Sequence, residues 1–561
     1  MRPAAAGCLV GVILAAASAR IASTYPVFSQ AWDEPAHVHC GLRWWEYGLA
    51  DCDPMHPPLA RVVMAAPLYF KGLRTAAMEN MYAAGTAELH SDGEYWTNLA
   101  LARSATLIFF WFAGVCVYGL GAKAFGREVG VLAVLLYAVL PPVLNWASVA
   151  YTDTAMAATF AFFVHRWFKW LGAHSLRNAV WMGVAAGLAV GAKYSSIPYM
   201  VVLIAATAVL LRREALRRML GNRRLLGAAG GAMAITLWAI FHFAVVPISP
   251  LHGTHPFVDR FLARDSIWSA LAYRILETPL PLAGMVPGLA DLLAFRQHFN
   301  SGAEPFYFMG AVHTQGVWYY FPVMLLCELP LPFLAALAGA PLLWFSGVWQ
   351  KENRLERGLL LAAPAGVLAV NMVSLLTFAP RHLSGCYPFL AVAAAAVLAA
   401  LWRSGRWRWV GRSAAAAAVA LTVGTSILAH PDHHAYRGAL SALLHQAPPG
   451  DAGRDVGRLA KVLRELDASE VSVALEGTND LSRMGLPEHE RLEPYTFTPG
   501  WIAISERKLR IHDNHSPPYD GFAWLRQFEP VTRAGPSIRI YYIPETEARA
   551  VTRPGGAVRE P

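Results

Sequence analysis

Long apolar windows separated by short polar stretches dominate the first 430 residues of the chain. Windows of about 17 to 25 residues have the length that one helical crossing of a lipid bilayer requires. About eleven windows fit one crossing each, although 178–192 is shorter and 317–346 is longer: 4–23, 100–120, 130–150, 153–171, 178–192, 194–211, 225–247, 317–346, 359–378, 384–402 and 413–430. The pattern predicts an α-helical membrane protein of many crossings.

Composition supports this prediction and removes one alternative. Of 561 residues, 55% are apolar and 15% are charged, whereas soluble domains carry about a quarter charged residues. The net charge of +9 raises the alternative of nucleic-acid binding. The basic residues cluster in short loops between windows, however, and no nucleic-acid-binding motif accompanies them. We therefore expect membrane lipids around the chain and no nucleic-acid partner.

The basic loop residues also predict the orientation. With eleven crossings they fall on one side, which the positive-inside rule assigns to the cytoplasm. They are Arg2, Lys123, Arg127, Arg166, Lys169, Arg177, Arg212, Arg213, Arg217, Arg218, Arg223, Arg224, Lys351, Arg354, Arg357, Arg403, Arg406, Arg408 and Arg412. The N-terminus is then cytoplasmic, and two long loops, 24–99 and 248–316, face outward from the inner (plasma) membrane. The first window also resembles a signal peptide, but an uncleaved span suits a chain with many further spans better.

The composition changes after residue 430. Residues 448–451 predict a break, and apolar residues then recur at helical spacing over 456–466. Runs at 471–475 and 538–543 predict strands. We therefore expect a small soluble α/β domain over 431–561, on the external or periplasmic side.

Two adjacent carboxylates, Asp33 and Glu34, follow the first window. Acids are costly at membrane depth, so a pair at its edge is a candidate functional site. Adjacent side chains diverge, so we expect separate roles rather than one shared proton. A helix N-cap is the alternative for Asp33. Asp153, at the predicted outer end of the fourth window, has the same two interpretations.

Three cations lie at predicted outer ends of windows, away from the cytoplasmic side: Arg61, Lys193 and Arg381. Long basic side chains at such places can serve only as interfacial anchors. Beside carboxylates they can instead hold a phosphate or pyrophosphate, Arg by bidentate contact and Lys as a point charge. The sequence leaves both roles open.

The first loop contains His37, His39, Cys40, Cys52 and His56. Their spacing matches none of the usual zinc patterns, so we expect no metal site among them. A requirement for a divalent metal stays open. In an oxidising compartment Cys40 and Cys52 could form a disulfide.

Taken in order, these residues resemble GT-C glycosyltransferases, specifically the protein O-mannosyltransferase family and its bacterial aminoarabinose-transferase-like relatives. The matching stretches are Asp33-Glu34; His56-Pro57-Pro58-Leu59-Ala60-Arg61, with Arg in place of the family's usual Lys; Thr152-Asp153; 187–195; and Arg381-His382 with Tyr387-Pro388. The resemblance covers most of 1–430, and the tail is similar to the terminal domain of some bacterial members.

The resemblance implies transfer of a sugar from a polyprenyl-phosphate carrier to an acceptor hydroxyl, with inversion, on the external face. The acceptor would be a protein, a lipid or a surface glycan. Asp33 would be the general base that draws the proton from the acceptor. Glu34 and Asp153 would position the loop or the sugar.

The same resemblance gives the cations a task. Arg61, Lys193 and Arg381 would stabilise the charge that develops on the leaving phosphate. His56 would bind the carrier or the acceptor, or support the Pro-Pro turn. Two other functions stay as alternatives. A transporter or flippase of lipid-linked intermediates would need inverted repeats and broken helices, and a non-catalytic membrane subunit would tolerate Asp33→Asn.

Overall fold

A computed structural model describes most of the chain. The described residues are 1–211, 221–248, 258–259, 262–263, 266–303, 305–350, 353–377, 379–404, 408–444, 452–512 and 517–546. Several residues named above lie outside them: Arg212, Arg213, Arg217, Arg218, Lys351, Arg406, the predicted break at 448–451, and parts of the predicted loop 248–316 and of the tail.

Helices coincide with all the apolar windows. Each window falls on one helix or on two consecutive helices, as the residue periodicity and length predict. These helices are Pro3–Ala22, Tyr95–Phe125, Arg127–Val139, Pro141–Ala147, Thr152–Gly172, Leu176–Ala192, Ser196–Leu210, Arg223–Ile240, Tyr320–Glu328, Leu331–Phe345, Arg354–Ser374, Tyr387–Arg403 and Arg408–Leu428. The prediction of a helical, multi-pass membrane protein is confirmed.

Fewer helices are clear crossings by length and composition alone. Among the described residues, four qualify by themselves: Pro3–Ala22, Tyr95–Phe125, Arg354–Ser374 and Arg408–Leu428. A fifth is added when Arg127–Val139 and Pro141–Ala147, bent by 68°, are taken as one span. The bend has a local cause, because a proline cannot donate to the helix ladder and disfavours helical backbone before it.

Small residues let neighbouring helices approach closely. A Cβ placed on Gly183, in Leu176–Ala192, would overlap the backbone carbonyl of Ala229 in Arg223–Ile240. Small residues at helix interfaces are how membrane helices gain packing energy where lipid gives no hydrophobic drive. This pair of helices brings the end of Leu176–Ala192, and with it Lys193, to a fixed place.

The first loop folds into three short helices, Glu34–Tyr47, Leu59–Lys71 and Met81–Leu89. The first two cross closely, because a Cβ on Gly41 would overlap the carbonyl oxygen of Arg61. Cys40 and Cys52 are bonded, with their Cα atoms 5.4 Å apart, so the disulfide considered from the sequence is present. It fixes the first helix to the segment that precedes the second.

The second long loop contains the helices Ile267–Glu277 and Met285–His298. A small hairpin in it pairs Phe306–Phe308 with Ala311–His313. Its strand Leu280–Pro281 pairs antiparallel with Val245–Val246, which lies just before the loop.

The tail forms a five-stranded sheet, as the α/β prediction requires. Its strand order is Glu488–Arg491, Glu470–Ala474, Gly500–Ser505, Ile538–Ile543, Thr532–Ala534. The first three strands are parallel and the last two pairings are antiparallel. The helix Val456–Glu465 covers one face with Val456, Leu459 and Leu463, all at most 1% exposed. Phe522 and Leu525 cover the other face.

Candidate active site

Asp33 lies where the first loop turns into the helix Glu34–Tyr47. It occupies the N-cap position, but within the described residues its side chain makes no cap hydrogen bond. The carboxylate instead accepts a hydrogen bond of 2.5 Å from Arg381 Nη1. The two side chains are 18% and 16% exposed. The N-cap alternative therefore does not explain this carboxylate, which is paired yet still reachable from outside.

Arg381 comes from the far end of the sequence. It sits on the short 3-10 helix Pro380–Gly385, between Arg354–Ser374 and Tyr387–Arg403. Tyr151 links it to Asp33 a second time. The Asp33 backbone N–H donates to the Tyr151 hydroxyl at 3.1 Å, and the Arg381 guanidinium lies 5.3 Å from the centre of the Tyr151 ring. A cation over an aromatic face is attracted by the ring electrons, so Tyr151 holds both partners.

Asp153 and Lys193 form a second pair. Lys193 Nζ donates to Asp153 Oδ1 at 2.6 Å, and their side chains are 10% and 1% exposed. Asp153 lies in the first turn of Thr152–Gly172, whose N-cap is Tyr151. The pair thus joins the start of one helix to the residue that follows another.

A third cluster forms around Asp53. Its carboxylate lies 2.9 Å from His56 Nδ1 and also accepts a hydrogen bond from Arg61 Nη2. Arg61 donates further to His37 Nδ1 at 3.2 Å and to the Asp53 carbonyl at 2.9 Å. Arg61 is 4% exposed, whereas His56 is 23% exposed. Arg61 therefore braces this loop, and His56 is the member that can meet a ligand.

Glu34 points away from Asp33 and is fully buried. Its two oxygens accept four hydrogen bonds, from Arg103 Nε at 2.9 Å, Arg103 Nη2 at 2.8 Å, and the backbone N–H groups of Ala31 and Ala150 at 2.7 Å each. Arg103 is 1% exposed and Glu34 is 0% exposed. Diverging roles were predicted for the adjacent acids, and their environments do differ in this way.

The loop carboxylates are held in the ionised form. Burial would raise the pKa of Asp33, but the charge of Arg381 and its hydrogen bond outweigh that effect and leave the pKa below its usual value. Burial likewise opposes ionisation of Asp53, yet hydrogen bonding to His56 and the Arg61 charge lower its pKa. Burial also lowers the pKa of His56, so a neutral imidazole is favoured there.

The pairs act on one another at one end of the helix bundle. Burial would lower the pKa of Arg381, but attraction to both Asp33 and Asp153 raises it above the usual value. The His37 ring lies 5.4 Å from the His56 ring and 5.8 Å from the Tyr151 ring. The structure therefore brings together six of the residues singled out from the sequence: Asp33, His56, Arg61, Asp153, Lys193 and Arg381. Glu34 follows Asp33 in the chain but binds Arg103 instead.

Three residues of these pairs and clusters were not predicted from the sequence. Asp53 stands three residues before His56, and an acid at that spacing was a usable signal. Arg103 lies within an apolar window, where any charge marks a buried partner or a site. Tyr151 gave no such signal, because it reads as one more aromatic residue at a helix start.

The sulfurs of the first loop are not free to bind a metal, since Cys40 and Cys52 are joined to each other. One group in the described part of the chain has the spacing of metal ligands: Asp432, His434 and Asp455. Arg458 already pairs with both carboxylates of that group, at 2.6 Å and 3.1 Å. We therefore assign it no metal.

Several known proteins are similar to the chain. ArnT from Cupriavidus metallidurans bound to undecaprenyl phosphate has a TM-score of 0.49 at 12% identity, over 95% of this chain and 97% of that chain. The archaeal oligosaccharyltransferase AglB from Archaeoglobus fulgidus, in complex with an inhibitory peptide and a dolichol-phosphate, has a TM-score of 0.44 at 15% identity, over 81% of this chain and 58% of that chain. No curated protein matches the sequence significantly.

The match in sequence covers the segment that carries Asp153 and Lys193. Residues 97–242 match the family described as dolichyl-phosphate-mannose-protein mannosyltransferase. Over this segment the chain therefore matches that mannosyltransferase family, which is the family that the motifs in the sequence resemble.

Proposed function

We propose that the chain transfers a sugar from a polyprenyl-phosphate donor to an acceptor hydroxyl, with Asp33 as general base and inversion at the sugar carbon. The observation that carries the proposal is the Asp33 carboxylate, which is partly exposed and lies 2.5 Å from a cation. A general base acts within hydrogen-bond reach of the proton it takes. A cation nearby suits the phosphate that departs.

Arg381 and Lys193 are the cations we assign to the donor phosphate. Both lie at the same end of the bundle, and both are now neutralised by carboxylates. A phosphate that enters there shares or replaces those partners, Arg by a bidentate contact and Lys as a point charge. Asp153 then holds Lys193 in place for the donor.

This arrangement links donor binding to base strength. Asp33 is a weak base while Arg381 holds its pKa down. When a phosphate draws the Arg381 charge toward itself, the pKa of Asp33 rises, because the opposite charge beside it is shared. A higher pKa makes the carboxylate a better proton acceptor. The base is therefore activated when the donor is in place.

The remaining predicted site residues take supporting roles. Arg61 donates to the Asp53 carboxylate and to the carbonyl oxygens of Asp53 and His56. We therefore propose that it maintains the shape of the loop that carries His56. His56, the more exposed of the two, contacts the carrier or the acceptor. Glu34 anchors the start of the helix that follows Asp33.

We also propose that the reaction takes place on the external side of the membrane, and we leave the acceptor class open. The positive-inside rule favours an external, periplasmic site with the N-terminus in the cytoplasm, and a disulfide in the first loop suits an oxidising compartment. The tail after residue 430 lies on that same side. Proteins, lipid A-type glycolipids and surface polysaccharides all offer an acceptor hydroxyl.

The test uses purified protein in lipid nanodiscs, incubated with several polyprenyl-phosphate sugars and with one acceptor of each class. Release of polyprenyl phosphate and sugar on the acceptor are measured together. We expect Asp33→Asn to lower kcat by about 100-fold or more, the usual share of a general base. Asp51→Asn is the matched control, because Asp51 lies in the same loop, is 57% exposed and pairs only with Arg43 in this structure's described contacts.

The alternatives give different results. A flippase moves the donor across vesicle membranes without releasing its sugar. A non-catalytic subunit gives Asp33→Asn and Asp51→Asn the same behaviour as wild type. Transfer that persists within threefold in Asp33→Asn contradicts the assignment of the base.

A further inference from the structure

Residues 29–32, which directly precede Asp33, are held by hydrogen bonds to the tail of the chain. Ser29 is fully buried. Its N–H donates to the Arg454 carbonyl at 2.9 Å, and its hydroxyl lies 2.9 Å and 2.8 Å from the carbonyl oxygens of Gly453 and Arg454. Arg454 in turn donates to Asn145 Oδ1 at 2.5 Å. Residues near 453 thus lie between the stretch before Asp33 and the helix bundle.

A second loop of the tail holds the same stretch closer to Asp33. Thr478 Oγ1 donates to the carbonyl oxygen of Trp32 at 3.1 Å. Asn479 Nδ2 donates to the carbonyl oxygen of Gln30 at 3.2 Å, and Gln30 Nε2 donates back to the Thr478 carbonyl at 2.9 Å. Thr478 therefore contacts the residue directly before Asp33.

The two tail loops meet through glycines that no other residue could replace without a shift. Gly453 has φ +97° and Gly477 has φ +108°, both in the region that side chains disfavour. A Cβ on Gly477 would lie 2.7 Å from Gly453 Cα, and one on Gly453 would lie 2.6 Å from Asn479 Nδ2. The contact is therefore built for close approach, which brings Thr478 and Asn479 onto the backbone of residues 30–32.

We propose that the tail is a positioning element of the active site. Thr478 and Asn479 fix the position and orientation of Asp33 through the backbone of Gln30 and Trp32. This inference rests on the proposed function of Asp33 as the base. Thr478 and Asn479 act through that backbone and touch no reacting group. A domain that follows the last membrane span thereby positions a residue that follows the first span.

The expected effect follows from how steeply proton transfer depends on placement. A displacement of about 1 Å at a reacting group can cost on the order of 100-fold in rate. The loss of these few hydrogen bonds is small beside the packing of the whole domain, so the fold survives while the Asp33 carboxylate becomes more mobile. We therefore expect kcat to fall by about tenfold or more in Thr478→Val/Asn479→Ala, with the donor KM within about twofold of wild type.

The test combines turnover with hydrogen exchange on the full chain in nanodiscs. Thr478→Val/Asn479→Ala is compared with wild type, with Thr478→Ser, which keeps the hydroxyl, and with Thr496→Val, an exposed threonine elsewhere in the tail. Exchange at the amides of residues 29–34 is read by mass spectrometry. It should speed up in the double variant and stay at the wild-type rate in Thr478→Ser and Thr496→Val.

The two readouts separate this inference from the proposed function. Wild-type exchange at residues 29–34 in the double variant overturns the positioning role, whatever the turnover. Faster exchange with unchanged kcat also overturns it, because the clamp would then not matter to the base. If wild-type protein transfers no sugar, the proposed function fails, and faster exchange would still establish the clamp itself.

Discussion

The buried pair of Glu34 and Arg103 offers a sharp test of how the two adjacent acids divide their work. Glu34→Gln keeps the size and shape of the side chain and removes the charge. The guanidinium of Arg103, which is 1% exposed, then loses its ionic partner. It keeps its hydrogen bonds to the carbonyl oxygens of Phe28 and Ser29, at 2.7 Å and 2.8 Å. We expect a large loss of stability and a small loss of chemistry.

The size of the loss follows from burial. Removing one partner of a buried ion pair costs about 3–5 kcal/mol, because an uncompensated charge stays behind. Glutamine restores part of the hydrogen bonding, so we expect about 3 kcal/mol for Glu34→Gln. The exposed pair Lys71–Glu94 is the comparison, with Glu94 58% exposed. Its loss in Glu94→Gln should cost under about 1 kcal/mol.

The assay is the thermal unfolding midpoint in one detergent, read by intrinsic fluorescence, with turnover measured well below that midpoint. Glu34→Gln should unfold several degrees below wild type and Glu94→Gln near wild type. The kcat of Glu34→Gln should fall by less than the roughly 100-fold that loss of a general base costs, because the Asp33 carboxylate is still present. A wild-type midpoint with a 100-fold loss of kcat would refute the reasoning and make Glu34 a catalytic residue.

Two further predictions follow from the same contacts. In Arg381→Gln the pKa of Asp33 rises, because the cation that lowers it is gone; Asp33 is then protonated up to a higher pH, so the acidic limb of kcat/KM against pH should shift upward, and an unshifted limb argues against Asp33 as the base. Opening the Cys40–Cys52 bridge, which spans 12 residues, in Cys52→Ser should cost about 2–4 kcal/mol of stability, read as a lower thermal midpoint that dithiothreitol reproduces in wild type; a variant as stable as wild type contradicts this role.

Much of the fold could be predicted because its signals are local. A run of apolar residues long enough to cross a bilayer forms a helix wherever it sits, since only internal hydrogen bonds satisfy its backbone in lipid. The strands at 471–475 and 538–543 were visible in the same way. Proline is the exception that the window rule overlooked. Pro141 and Pro142 lie inside one predicted window and bend it by 68°.

The site could be predicted as a set of residues but not as a set of pairs. Asp33 and Arg381 are 348 positions apart, and no local pattern says which cation meets which acid. Residue type gave candidates, since charges near membrane depth need partners. The pairs are determined by three-dimensional packing. Arg103 neutralises Glu34 and Asp53 neutralises Arg61, two pairings that the sequence did not predict.

The pairs differ in burial, and burial decides what each can do. Glu34–Arg103 is at most 1% exposed, Asp153–Lys193 reaches 10%, and Asp33–Arg381 reaches 18%. Separating a buried pair strands a charge at a cost of about 3–5 kcal/mol, more than a ligand gains from a typical hydrogen bond to a charged group, about 1.5–3 kcal/mol. A pair that water can partly reach costs less to open, because solvent screens the separated charges. Under the proposed function, an arriving phosphate would open the outermost pair while the innermost pair keeps the loop in place. The order of burial therefore supports our proposal that Asp33 meets the substrate and that Glu34 has a supporting role.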